Sequence, residues 1–301
     1  NFGNLVLGFG GIGFVPPFNA TRGVLGGGAG YTAQMQYITI ATTGNSINFG
    51  NMTDGRYSLG GVSDGARGVF GAGSPGSVQI SNILDYITIA TTGNATDFGD
   101  STQARYSLGA CSNDTRGVFA GGYVNSGYTN SDVMDYITIA STGNATDFGN
   151  LTVGRYGCKG CVASDVRGII SGGLAHNIIE YITIATTGNA TDFGDLTINR
   201  KQGTGVADPT RGVLCGASAN TKSMDYITIA TTGNASDFGD LLATAEFGSG
   251  VDSATRGVIC GGYTTGSVNV IEYITIAITS NATDFGDLLQ VNAGTAGVSG
   301  S

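Results

Sequence analysis

The chain has 301 residues, of which 53 are glycine and 4 proline, with no tryptophan and a single histidine. Its net charge is −9, and 12% of residues are charged against 41% hydrophobic. That balance excludes a disordered chain, and it withholds the clustered Lys/Arg that a nucleic acid or an anionic membrane requires. The N-terminal apolar run Leu5-Val6-Leu7 stops at Gly8 and is followed by Gly10, Gly11, Gly13, Pro16 and Pro17, so it predicts neither a spanning helix nor, without a basic flank, a signal peptide.

Taken in chain order, the rest is one motif set repeated. Arg-Gly-Val/Ile begins at Arg22, Arg67, Arg116, Arg167, Arg211 and Arg256. Tyr-Ile-Thr-Ile-Ala follows at Tyr37, Tyr86, Tyr136, Tyr181, Tyr226 and Tyr273, and Phe-Gly-Asp/Asn at Phe49, Phe98, Phe148, Phe193, Phe238 and Phe285. Each unit reads as four short strands. In the third, strand a is 105–111, strand b 116–122 and strand c 136–140, with a Thr142-Gly143-Asn144 turn before strand d at Phe148 and Leu151. No stretch has a helical period. A repeat of about 45–50 residues made of strands alone predicts an all-β, six-bladed propeller of four-stranded blades. It is read as a single domain over 1–301, with the small-residue strand a innermost. Phe2-Gly3-Asn4-Leu5 is a surplus d-type segment and 293–301 an a-type one. One terminal piece is therefore expected to complete the ring while the other lies outside it, unless the six units are part of a longer chain.

In this arrangement the unit resembles the kelch repeat. The Gly-Gly doublet closing strand b is present as Gly27-Gly28, Gly121-Gly122, Gly172-Gly173 and Gly261-Gly262, and altered to Ala72-Gly73 and Gly216-Ala217. Phe stands at the kelch Trp position, and an Arg opening the next strand a is kept as Arg56, Arg105, Arg155 and Arg200 but replaced at Ala245. The wording of the repeat also resembles kelch-like repeat proteins of marine bacteriophages. That likeness implies a virion setting.

Charges phased with the repeat are read as scaffold. Arg22, Arg67, Arg116, Arg167, Arg211 and Arg256 are expected to bridge to a carboxylate or turn carbonyl of their own or the next blade. Asp64, Asp114, Asp165, Asp208 and Asp252 precede them, and the pairs Asp97/Asp100 and Asp192/Asp195 flank Phe-Gly. Asn48, Asn51 and Asn150 replace some of these acids, which fits turn capping better than calcium, so no metal site is expected. The five cysteines replace small residues at repeat positions and are read as free, buried thiols. One histidine leaves no triad or multi-histidine metal site, and no Gly-rich segment leads into a helix to hold phosphate, so neither an enzyme nor a cofactor is expected.

Recognition is expected where units differ. The b–c loops vary most and carry Tyr31, Tyr123, Tyr128, His176 and Tyr263, whereas the c–d turn is nearly constant. The reading is a non-enzymatic virion structural or attachment protein, in a tail fibre, appendage or capsid decoration, whose partners are other virion proteins or a host-surface glycan or protein. The alternative is a secreted or cell-surface carbohydrate-binding adhesin.

Overall fold

The computed structural model describes residues 20–77, 79–124, 129–174, 176–217, 221–244 and 246–301. The first blade holds β1 (Arg22–Gly26), β2 (Gln34–Thr39) and β3 (Ile47–Asn51). The second is β4 (Gly60–Ser63), β5 (Arg67–Gly71), β6 (Ile83–Thr88) and β7 (Thr96–Asp100). The third is β8 (Gly109–Ser112), β9 (Arg116–Ala120), β10 (Val133–Thr138) and β11 (Thr146–Asn150). The fourth is β12 (Gly160–Ala163), β13 (Arg167–Ser171), β14 (His176–Thr183) and β15 (Thr191–Arg200). The fifth is β16 (Thr204–Ala207), β17 (Arg211–Ala217), β18 (Thr221–Thr228) and β19 (Ser236–Asp240). The sixth is β20 (Ser249–Asp252), β21 (Arg256–Cys260), β22 (Val268–Thr275) and β23 (Thr283–Asn292), and β24 (Ala296–Gly300) follows.

Each sheet is antiparallel in the order a-b-c-d, and the six together form a six-bladed β-propeller. The first blade takes its inner strand from the other end of the described chain, because β24 pairs with β1 from Arg22↔Gly300 to Gly26↔Ala296. The C-terminal a-type segment thus completes the ring. Pro16 and Pro17 stand where strand a would precede Arg22 by the spacing of the other units. Consecutive prolines lack consecutive N–H groups, one of which would have to face β1. Phe2-Gly3-Asn4-Leu5 lies outside the described residues.

The three motif strings meet in every blade. Each strand b arginine lies over the strand c tyrosine at 4.3–4.6 Å from the ring centroid. That tyrosine meets the strand d phenylalanine edge-on at 5.9–6.2 Å. The same guanidinium donates to the isoleucine carbonyl ending Tyr-Ile-Thr-Ile in the next blade: Arg22 to Ile89, Arg67 to Ile139, Arg116 to Ile184, Arg167 to Ile229, Arg211 to Ile276 and Arg256 to Ile40, at 2.9–3.3 Å. The contact runs forward around the whole ring.

Strands b and c bury both faces, so alternate residues feed opposite blade interfaces. Leu25 joins Ile271 and Phe285 of the sixth blade, while Val24 joins Phe70 and Ile87 of the second. A strap runs in the same direction across the outer strands. In each blade the c–d turn asparagine (Asn45, Asn94, Asn144, Asn189, Asn234 or Asn281) accepts, through Oδ1 at 3.0 Å, the N–H of the residue after Phe-Gly in the preceding blade. The capping side chain is therefore this asparagine, whereas the Asp or Asn after Phe-Gly contributes its N–H.

A second set of arginines is buried. Arg56, Arg105, Arg155 and Arg200 form ion pairs with Asp85, Asp135, Glu180 and Asp225, the acids just before the strand c tyrosine. The carboxylate bridging expected of the strand b arginines thus falls to this set, and the strand b arginines use carbonyls alone. In the first blade the two positions are Asn292 and Gln36, both neutral. Asn292 donates to the Gly27 carbonyl, and Gln36 accepts from Ser46 Oγ and Leu289 N–H. In the sixth blade Glu272 accepts the N–H groups of Leu242 and Ala243 instead, and burial pushes its carboxyl up.

Strand a begins later than the sequence suggests. Residues 105–108 form the connection into the third blade because Ser107, at φ 56°, turns the chain before β8. The a–b turn is capped by Asp64, Asn113, Ser164, Asp208 and Ser253, each accepting the N–H of the following strand b arginine. Asp114, Asp165 and Asp252 lie one residue away from that position. Cys111 faces Val118 but Cys161 faces Ile170, so these cysteines do not share a strand a position.

Two outcomes are expected. Arg116→Ala removes both the ring contact and the blade-to-blade hydrogen bond, and should lower stability by about 1–3 kcal/mol in denaturant unfolding. Arg105→Asn strands the buried Asp135 and should cost about 3–5 kcal/mol. Adding Asp135→Gln, which copies the neutral first blade, should recover much of that loss in a double-mutant cycle.

Candidate functional site

Six residues ring the propeller axis where strands d lead into strands a: Ser58, Ser107, Gly157, Gln202, Phe247 and Gly294, with φ between 56° and 72°. A left-handed conformation is uncommon for a residue with a side chain, and four of these have one. Each donates its N–H to the carbonyl of the equivalent residue in the preceding blade, Ser58 to Gly294, Ser107 to Ser58 and so on around to Gly294 and Phe247, at 2.7–2.8 Å. Side chains add to this ring: Ser58 Oγ meets Ser107 Oγ at 3.1 Å, and Gln202 Nε2 donates to Ser107 Oγ at 2.9 Å. This end of the axis is cross-linked by protein.

Behind the ring, the inner strands β4, β8, β12, β16, β20 and β24 line a channel of about 150 Å³. Gly61, Ala110, Gly205, Gly250 and Gly297 supply small walls, as expected of an innermost strand a. The close approach demands it: a Cβ on Gly250 would sit 2.1 Å from the Gly205 carbonyl oxygen. Two charged side chains line the channel among the described residues, Lys159 and Asp252. Asp252 Oδ2 accepts the Ala207 N–H at 2.8 Å, and burial pushes its carboxyl up to about 7.

The outer side of the ring carries aromatic residues on the face shared by the b–c and d–a loops. Tyr57 meets Phe247 at 5.7 Å and Tyr31 at 6.4 Å between ring centroids. Tyr123 stacks on Tyr156 at 3.9 Å and meets Tyr106 at 5.3 Å. Lys201 Nζ lies 5.8 Å from the Tyr156 centroid. Burial raises the Tyr57 hydroxyl pKa, with smaller contributions from Glu246, Tyr31 and Tyr263, and burial also raises Glu246.

The sequence-derived residues are thus partly gathered. Tyr31 (39% exposed) and Tyr263 (44% exposed) belong with Tyr57 and Glu246, and Tyr123 belongs to a second stack. His176 opens β14, opposite Arg200 in the sheet, and is not in ring contact with either group. Tyr128 lies outside the described residues. Tyr57, Tyr106, Tyr156 and Lys201 escaped the sequence reading because each directly precedes an axis-ring residue, in a stretch that looked like strand a. The signal was present in the sequence: Tyr, Tyr, Tyr, Lys, Glu and Ala occupy one repeat position, a variation no other d–a position shows with this chemistry.

The five cysteines are free, four of them buried, and burial raises the thiol pKa of each. A thiol held neutral is a poor nucleophile or metal ligand. No group of three or more His, Cys, Asp or Glu side chains is placed to hold a metal ion among the described residues.

Asp252 yields a pH prediction. Between its ordinary value of 3.8 and about 7 the folded chain keeps a proton that the unfolded chain releases, so this group's stabilising effect is lost as pH rises through that window. Asp252→Ser, the residue found at the equivalent Ser63, Ser112 and Ser299, should gain thermal midpoint relative to wild type as pH is raised from about 4 to about 8. A constant difference across that range in calorimetry would count against it. A scan against protein-family models and a search of curated proteins match nothing to this chain, leaving the fold and these side chains as the basis for assigning a role.

Proposed function

We propose that this chain is a non-enzymatic display module, a kelch-type propeller serving as a virion structural or attachment component, which recognises a glycan or protein through its b–c and d–a loop face. The observation that carries the reading is the distribution of chemistry over the ring. Phased arginines, tyrosines and asparagines are spent on blade-to-blade contacts. The aromatic residues that break the repeat collect instead on one face, with Glu246 and Lys201 among them. Partly exposed tyrosines beside a carboxylate and an amine offer stacking surface and hydrogen bonds at low entropic cost, which suits sugar rings and protein loops alike.

The constant c–d turns argue against the opposite face as the primary docking surface, since their asparagine Oδ1 atoms already accept bonds from the preceding blade. The kelch assignment is supported by the Gly-Gly doublets, where Gly121 and Gly122 adopt φ 65° and 104°. The virion setting rests on the wording of the repeat, and a secreted adhesin is the competing setting. Recovery of the chain in purified virus particles by mass spectrometry supports the first, and its absence there supports the second.

Binding itself is tested on glycan arrays and host-surface extracts. Tyr31→Ala and Tyr263→Ala should each weaken capture by about 2 kcal/mol where the tyrosine is an anchor, with the thermal midpoint unchanged. Capture that survives both substitutions but is abolished by changing the c–d turns would place the docking surface on the other face.

A further inference from the structure

The fourth blade differs from the others at the axis. Between its ring residue and strand a it reads Gly157-Cys158-Lys159-Gly160, whereas the second reads Ser58-Leu59-Gly60 and the third Ser107-Leu108-Gly109. Lys159 is the extra residue. Its Nζ crosses the channel to donate to the Thr295 carbonyl at 2.9 Å, reaching the inner strand of the opposite, first blade. An ammonium has three donors, and one bond leaves two for the channel. No carboxylate pairs with it among the described residues, because the four ion pairs of the structure all belong to the buried arginines.

Lys159 and Thr295 precede their strands and so lie toward the cross-linked end, whereas Asp252 closes its strand at the other end. Four-residue strands separate these levels by roughly 10 Å. The channel is therefore a well with a positive floor. Its lower wall is apolar at Ala110 and Cys161, which line the channel and are partly exposed, and its rim carries Ser63, Ser112 and Ser299 beside Asp252. A cavity of this volume holds about six non-hydrogen atoms, as an apolar cavity of similar size holds benzene. An inorganic anion would leave the apolar wall uncovered.

We propose that the central channel is a binding site for a small organic monocarboxylate, its carboxylate on Lys159 Nζ and its short alkyl chain against Ala110, Cys161 and the glycine walls. The site is independent of the loop-face reading above. Lys159 keeps its proton through neutral pH, although burial lowers it to about 8. The other titratable groups lining the channel are Asp252 and the thiols Cys111 and Cys161. The thiols are pushed up by burial and stay neutral, and Asp252 loses its charge below about 7. Mild acid therefore keeps the cation and removes the competing anion, so binding should strengthen as pH falls from about 9 to about 6.

The probe is sodium butyrate, titrated calorimetrically into the full chain at pH 6 and pH 9, with butyramide as the uncharged isostere. We expect saturable one-to-one binding at pH 6, at least about tenfold weaker at pH 9, for butyramide and for Lys159→Met. Asp252→Asn should retain binding and reduce the loss at higher pH. Should Lys159→Met fail to fold, the nitrogen resonance of the lysine ammonium in the wild-type chain serves instead, since bound butyrate must raise the Lys159 pKa. Absence of saturable binding at pH 6, equal binding of butyramide, or a Lys159→Met chain that folds and binds unchanged would overturn the proposal and leave Lys159 as a strut between opposite blades.

Discussion

Everything in this propeller depends on the contact between one blade and the next. Each hydrophobic cluster draws residues from two neighbouring blades, as Phe98 of the second packs with Phe119 and Ile137 of the third. A single four-stranded blade would leave both faces in water, so the stabilising area exists only once the ring is built. That makes the β24–β1 pairing the decisive closure, since it ties the two ends of the described ring through five residue pairs. Arg256 reinforces the same seam from the sixth blade, donating to the Ile40 and Ala41 carbonyls of the first. Hydrophobic area supplies the adhesion at each seam, and the directional bonds of arginine and asparagine fix the angle at which blades meet.

The buried ion pairs show how a repeat tolerates change without losing its fold. An arginine and an acid removed from water gain little net stability over a neutral pair, but either alone is costly. The first blade has replaced both, with Asn292 and Gln36, and each still finds hydrogen-bond partners. The sixth has lost the arginine and kept Glu272, whose charge is met by two backbone N–H groups. The first blade contains the β24–β1 seam and the sixth adjoins it, β24 standing in for an inner strand continuous with β1. The neutral pair of the first blade avoids a buried charge left unpaired whenever that seam opens.

Fold class, blade number and the order of strands were legible because three short strings recur in fixed order, and each names one side of the Arg–Tyr–Phe contact. What the strings do was harder to see. Nothing in Asn144 or Asp100 as letters says that one supplies an oxygen and the other an N–H across a blade boundary. Strand a was misplaced by several residues because small residues suit both a crowded strand and a left-handed turn, and only the backbone distinguishes Ser107 from Gly109. The aromatic face was half legible. Tyr31 and Tyr263 stood out as loop tyrosines, whereas Tyr57 and Tyr156 were hidden inside a presumed strand.

Symmetry separates scaffold from site in this molecule. A residue repeated six times around an axis makes six equal contacts, and the structure accounts for those contacts as inter-blade bonds. Departures from the repeat have no such explanation, and besides those on the loop face a group lies on the axis: Gln202 and Phe247 in the hydrogen-bonded ring, the inserted Lys159 below it, and Asp252 at the far rim. A left-handed Phe and a lysine desolvated to a pKa of about 8 both work against stability. Glycine fills the Phe247 position in two other blades without that burden, and Lys159 has no counterpart in the other blades. The axis is where every blade comes within reach of a single small ligand, so it is the one place where breaking the symmetry of one blade alters the environment presented by all six.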